Sequence, residues 1–341
     1  MSPPSKTADP PDKAAAQPDA SPTRALWDRL AEPIDYFQVV AAMLGLSQSA
    51  VHLLQSALLA TSSETEHLIA AMPSISRTMS IATTDVPERM VGSIRGPVLW
   101  SETISARAAS FGDEGLFVCK SSTRAYDTAE NRVLAYALWL VSDAAVTVDT
   151  QRAVGHENEI AEQVRHTGKV ARRHLEGRTL SGVPRHHPSG RDLRRARAGR
   201  KRRTYEPAMR LLHRASVPFE PADVEAVVDD ATREYHALIL KIADLVEARS
   251  GSLPRFRADS GILFAGEISF RHPGHRGRSD HPAGVMVADT LLVLAGAIPD
   301  STRRAGHDVG DILEQAQASG RKVISVGPRT NLTKIIASID F

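Results

Sequence analysis

The densest chemistry in this sequence lies between Arg185 and Arg203, in the run RHHPSGRDLRRARAGRKRR. Nine of its nineteen residues are Arg or Lys, against one acid, Asp192. Arginine outnumbers lysine, and the planar guanidinium can fork onto two phosphate oxygens at once. Such a run suits a nucleic-acid backbone, with affinity that falls steeply with salt and little preference for base sequence. The candidate contacts are Arg191, Arg194, Arg195, Arg197, Arg200, Lys201, Arg202 and Arg203. The same run also reads as a solvated loop between two helices, held open by its own repulsion. His166, Lys169, Arg172, Arg173, His174 and Arg178 extend the positive zone and favour the contact. Tyr205 just beyond could stack on a base or pack on its own domain.

Other reactive residue types are sparse. His272 and His275 in HPGH, with Asp280 and His281, have the donor types of a metal site. They sit among Arg271, Arg276 and Arg278 in a Gly-Pro loop that fixes no geometry, so no metal is expected there. The single cysteine, Cys119, excludes an internal disulfide and a multi-cysteine zinc site. GHRGRSDHPAG lacks the strand–loop–helix context and the G-K-[ST] of a phosphate loop. There is no nucleophile elbow for a serine hydrolase.

The elements that must hold these residues are mostly helical. Leu26, Leu30, Phe37, Val40, Leu44, Val51, Leu54 and Leu58 step by threes and fours, and TSSETEHLIAAM opens a further helix with a Ser cap. From Pro73 to Val118 the pattern shortens into strands: SISRTMSIATT is β-branched, Gly96-Pro97 marks a turn, EGLFVCKS is a compact apolar run, and Ser101–Ala109 reads as a helical turn or strand. Asp127 and Glu130 have capping-box spacing before Val133, Leu134, Ala137, Leu138 and Val141. A helix follows from about His156 to Gly177, and one continuous helix is predicted from about Ala222 to Arg249. In the last ninety or so residues GILFAGEISF reads as a strand, GVMVADTLLVLAG as a strand or hairpin, and RKVISVGP as a strand. Asp308–Ser319 reads as a helix, and NLTKIIASI as a terminal helix or strand.

The fold class expected is α+β, mostly helical in the N-terminal and middle regions with short strands, and with a small α/β unit at the C-terminus. The expected organisation is a disordered tail over 1–21, a helical region with short strands over 22–125, a helical region carrying the basic segment 185–203 over 126–255, and the α/β unit over 256–341. The chain has 341 residues, 42% of them apolar but only 5% aromatic, so its core must rest on aliphatic side chains. Its net charge of +2 conceals the basic segment. With no secretory pattern and no long apolar stretch, a cytoplasmic protein without a membrane partner is expected.

Three stretches occur in order: RGPVLWSETISAR (Arg95–Arg107), LFVCKSSTRAYDTAENRVLAYAL (Leu116–Leu138) and TYEPAMRLLHRA (Thr204–Ala215). Together they resemble the McrC-like family, the non-ATPase components of McrBC-type restriction systems and their relatives. Gly96, Val98, Trp100 and Thr103 match that family's G-x-[IV]-x-W-x-x-T element. Asp127, Thr128, Asn131 and Arg132 match its D-T-P-x-N-R element, with Ala129 at the proline, and Tyr205 matches a tyrosine that opens a later helix. The resemblance spans about residues 90–215. Trp100, Asp127, Glu130, Asn131 and Arg132 read as a structural motif. Asn131 at a helix start can hold a neighbouring strand or loop by side-chain hydrogen bonds, and Arg132 can pair across the same junction.

The resemblance implies a PD-(D/E)XK nuclease core further on, with carboxylates holding Mg²⁺ and a lysine beside the attacking water. Only Glu267 and Asp289 offer themselves, and no acid-x-Lys follows Asp289. The expectation is therefore a nucleic-acid-binding, non-catalytic McrC-like component of a DNA-restriction or phage-defence system. It would hold DNA or RNA on the basic segment, need no cofactor, and work with a partner such as an ATPase. The alternatives are a divergent Mg²⁺-dependent nuclease using Glu267 and Asp289, and a protein–protein adaptor with a basic loop.

Overall fold

In the computed structural model, residues 21–151, 159–275, 282–294, 320–327 and 329–339 are described, with 310, 314 and 317. The expected N-terminal tail over 1–20 and most of the expected helix Asp308–Ser319 lie outside them. The fold is α+β, with twelve helices and two sheets among the described residues. The chain divides into two units, His52–Pro218 and a second formed by Met1–Val51 with Phe219–Phe341.

The first unit is a helical bundle with a hairpin. Its helices are α4 (Ser63–Thr78), α5 (Trp100–Ala109), α6 (Ala129–Gln151), α7 (Glu159–Glu176), α8 (Gly190–Ala198) and α9 (Arg202–Ser216). The strands β1 (Ala82–Val91) and β2 (Leu116–Ala125) pair antiparallel along their full length. Leu68, Met72 and Ile75 of α4, with Met79 at its C-cap, pack with Val133, Leu134, Ala137, Leu138 and Val141 of α6, and with Tyr205, Ala208 and Leu211 of α9. Burying a single large apolar side chain stabilises by about 1.5–3 kcal/mol, so this aliphatic seam holds the bundle.

SISRT, expected as strand, is the end of α4, which runs through Pro73 to Thr78. Pro73 is exposed, and the four–three–four spacing of Leu68, Met72, Ile75 and Met79 keeps the helix on the core. The 101–109 stretch is α5, whose Thr103 hydroxyl accepts from Val118 N–H at 2.9 Å.

The second unit holds α1 (Pro22–Asp28), α2 (Tyr36–Leu44), α10 (Pro221–Val227), α11 (Asp230–Ser250) and α12 (Leu332–Ala337). The boundary between the units falls within α3 (Gln48–Ala60). The sheet runs β3 (Arg257–Asp259), β4 (Ile262–Ala265), β5 (Ile268–Arg271), β6 (Gly284–Val287), β7 (Thr290–Leu294) and β8 (Lys322–Val326) in chain order. The first five strands form an antiparallel meander, and β8 pairs parallel with β7.

Two expectations are corrected here. GILFAGEISF is two strands, turned at Gly266-Glu267, where Gly266 has φ 56°. The expected single helix from Ala222 to Arg249 is two helices. Val228 is extended, and Asp229 caps a new start by accepting from Thr232 N–H at 2.8 Å. Within GVMVADTLLVLAG, Gly284–Val287 and Thr290–Leu294 form the β6–β7 hairpin, and within NLTKIIASI, Leu332–Ala337 is α12.

Two buried histidines tie this unit together. His236 Nε2–H donates to Met43 O at 3.1 Å, and Nδ1 accepts from the Thr23 hydroxyl at 3.0 Å. His272 Nδ1 accepts from Gly274 N–H at 2.9 Å, and Nε2–H donates to Thr232 Oγ1 at 3.0 Å. Gly45, at φ +64°, packs so closely on His272 that an added Cβ would sit 2.1 Å from Nδ1. Burial pushes His236 from 6.5 down to about 4 and His272 down to about 3.

Both histidines are therefore neutral when folded and free to take a proton when unfolded. Below the unfolded value of 6.5 the unfolded state binds protons that the folded state refuses, so stability falls as pH falls. We expect each histidine to contribute a loss of about 1.4 kcal/mol per pH unit below that value. Urea unfolding at pH 7, 6 and 5 measures it, and a flat stability across that range would contradict the two buried neutral rings.

Candidate nucleic-acid interface

The basic segment is a helix and a helix start, not an open loop. Ser189 caps α8 and accepts from Asp192 N–H, while the Asp192 carboxylate accepts from Ser189 N–H at 3.0 Å and from its hydroxyl at 2.6 Å. The Ser189 hydroxyl and backbone N–H hold the buried Asp192 carboxyl below its usual range, with Arg132 and Arg191 adding to the effect. The lone acid of the segment is thus a cap that fixes where α8 begins. Ala196 is buried under α8, and Gly199 makes the turn into α9. An added Cβ at Gly199 would meet Arg195 O at 2.6 Å.

All eight candidate cations are exposed. Lys201 Nζ is tied back to Met79 O at 2.5 Å, and Arg195 Nε lies 3.6 Å from Glu130. Arg194, Arg197, Arg200, Arg202 and Arg203 have no carboxylate partner among the described residues. A cation without a counter-charge on its own chain is free to meet a phosphate.

What aims these helices is the start of α6. Asp127 and Glu130 do not form the expected capping box. Thr128 is the cap, its hydroxyl accepting from Asn131 N–H at 3.3 Å. Asp127 instead receives the Arg132 guanidinium at 2.6 and 2.9 Å, which holds its carboxyl below the usual range. Arg132 also lies 3.9 Å from Asp192 at the head of α8.

Asn131 is fully buried. Its Nδ2 donates to Ser80 O at 2.9 Å and to Tyr126 O at 2.7 Å. The Tyr205 hydroxyl donates to Asn131 Oδ1 at 2.5 Å and accepts from Ser80 N–H at 2.8 Å. Ser80, Asn131 and Tyr205 thus close a ring of three hydrogen bonds joining the segment before β1, α6 and α9. Burial raises the Tyr205 pKa, keeping its hydroxyl a donor. Tyr205 is therefore packed on its own unit and does not offer a stacking face. Trp100, at the start of α5, is 62% exposed.

On the same unit, Tyr136 and Leu140 of α6, His187, Pro188, Leu193 and Arg197 of and before α8, and Met209 and Leu212 of α9 line a groove of about 370 Å³. Sequence reasoning missed this groove, because its walls come from three separate helices.

The remaining candidates lie in the second unit. Glu267 is exposed in the β4–β5 turn and Asp289 is exposed in the β6–β7 turn. Ala288 N–H donates to Glu267 O at 3.0 Å, so the two turns lie at one end of the sheet. His272 is committed on both ring nitrogens, and no three His, Cys, Asp or Glu side chains gather as a metal site among the described residues. Arg276, Arg278, Asp280 and His281 lie outside the described residues. Among the described residues, no single helix is long and apolar enough to cross a membrane. No protein-family model matches this chain, and no curated protein matches it in sequence.

The ring makes a quantitative prediction. Tyr205→Phe leaves Asn131 Oδ1 and Ser80 N–H with one partner fewer in the core, and should cost about 1–3 kcal/mol. Asn131→Ala should cost at least as much, and the double variant should fall short of the sum by roughly 0.5–3 kcal/mol. Additive losses in urea unfolding would contradict a closed ring.

Proposed function

We propose that this chain is a nucleic-acid-binding, non-catalytic component of a DNA-restriction or phage-defence system, McrC-like in character, that works with a protein partner such as an ATPase. The observation that carries the reading is the set of five exposed arginines on and between α8 and α9. None has a carboxylate partner among the described residues; Arg194 and Arg197 stand on α8, Arg202 and Arg203 on α9, and Arg200 in the turn between them, held by a capped start and a buried hydrogen-bond ring. Arginines carried on an already folded backbone need no backbone ordering to meet phosphate, whereas a flexible basic loop must first be ordered.

The McrC-like resemblance is supported by where its residues stand. Asn131, Arg132 and Tyr205, the matched positions, are the ones that aim the arginine helices. A protein partner is supported by exposed Trp100 and Ile104, one turn apart on α5 at 62% and 66% exposure.

The nuclease alternative keeps one observation, the shared sheet end of Glu267 and Asp289. The acid-x-Lys expected after Asp289 is missing, because β7 reads Thr-Leu-Leu-Val-Leu.

Fluorescence anisotropy with labelled DNA and RNA tests the proposal. Changing Arg194, Arg197, Arg200, Arg202 and Arg203 to Ala should weaken binding at least a hundredfold at low salt. The same samples incubated with Mg²⁺ should leave the nucleic acid intact. Unchanged binding in the variant would contradict the interface, and Mg²⁺-dependent cleavage lost in Asp289→Ala would favour the nuclease.

A further inference from the structure

We propose that the groove beside α8 receives an unpaired nucleobase, so that this chain holds single-stranded nucleic acid with a base in the groove and the neighbouring phosphates on the arginines. This rests on the nucleic-acid reading above and adds to it the strandedness of the ligand.

The groove is apolar at its base and cationic at its edge. Leu140, Leu193, Met209 and Leu212 line it, while His187, Arg197 and His213 are its charged or titratable members. It has no acidic lining residue. Its wall is aromatic: Tyr136 stacks on Trp139 with ring centres 5.6 Å apart, and His187 stands against Tyr136 at 5.3 Å and 61°. His187 is itself positioned, since Nδ1–H donates to Pro188 O at 2.9 Å. An aromatic wall over an apolar floor suits the π-face of a base.

The groove is also continuous with the phosphate face. Leu193 and Arg197 lie one turn apart on α8 and both line it, and Arg194 is the exposed neighbour of both. Arg197 therefore belongs both to the groove lining and to the arginine face. At about 370 Å³ the groove lies within the range of small-ligand pockets, roughly 300–1,000 Å³. A base inside a duplex cannot reach it, because both its faces are stacked and its edge is paired. An acidic peptide would answer the rim charges but leaves the aromatic wall without a role.

The test compares three probes on the full chain by anisotropy: a thymidine oligonucleotide, an abasic oligomer of equal length and charge, and a duplex. Stacking of one base is expected to make the thymidine oligomer bind about 5- to 150-fold tighter than the abasic one. Ultraviolet cross-linking of the thymidine oligomer should map to the peptides carrying Tyr136 or His187. Ala215→Trp, which fills the groove from α9, should bring the thymidine-to-abasic ratio toward one. The wild-type ratio and the cross-link map do not depend on how that variant folds. Equal binding of the thymidine and abasic oligomers by wild type would overturn the groove while leaving the arginine face standing. Loss of binding to all three probes would sink both, and binding of a polyglutamate peptide in their place would point to a protein partner.

Discussion

A buried asparagine in the first turn of a long apolar helix is costly unless the need of both its amide nitrogen and its amide oxygen for partners is met. Asn131 meets it with two backbone carbonyls and one tyrosine hydroxyl, and Tyr205 in turn accepts from Ser80 N–H. In a low-dielectric interior such a ring is stronger than its members in water, and a half-made ring is worse than an apolar core. The penalty gives the junction one arrangement. Apolar packing between α4, α6 and α9 would tolerate small slides; the ring does not, because a shift of an ångström breaks donors from acceptors.

From that fixed point the arginine face follows. Tyr205 stands at the first turn of α9, so fixing its hydroxyl fixes the start of that helix and the turn at Gly199. The residues beside Asn131 reach the other helix: Arg132 toward Asp192, and Glu130 toward Arg195. These are partly exposed pairs, individually worth no more than about 1 kcal/mol. Their role is direction more than strength. They account for two of the charged side chains near the head of α8 and leave Arg194, Arg197, Arg200, Arg202 and Arg203 facing solvent. The polar pair Asn131-Arg132 at the head of an otherwise apolar helix is thus explained by the two helices it holds.

Much of this was legible from residue types alone. Fold class, the helical middle and the basic cluster follow from spacing and composition, and the structural reading of Asn131 and Arg132 from the family resemblance and their place at a helix start. What was not legible depended on competition between equivalent local choices. Asp127 and Thr128 both precede α6 and both can cap; the cap went to Thr128 because Arg132 engaged the carboxylate. The break at Val228 hides inside a good apolar period, and only Asp229, an acid three residues before Thr232, marks it. Pro73 looked like a boundary, yet its exposed position let α4 continue past it. The sequence between Arg185 and Arg203 leaves a phosphate-binding run and a solvated loop both open; the Ser189–Asp192 cap, visible as S-x-x-D, is what starts a helix there. The groove could not be read at all, since its lining residues lie as far apart as Tyr136 and Ser216.

The central claim is that the arginines on and between α8 and α9, which have no carboxylate partner among the described residues, meet a phosphate backbone. The most direct measurement is the slope of log affinity against log salt concentration for a short single strand and for a short duplex. Five phosphates neutralised on a duplex should give a slope of about −4.5. A slope near zero, or no binding even at low salt, would contradict the account and leave the arginines as a solvated face.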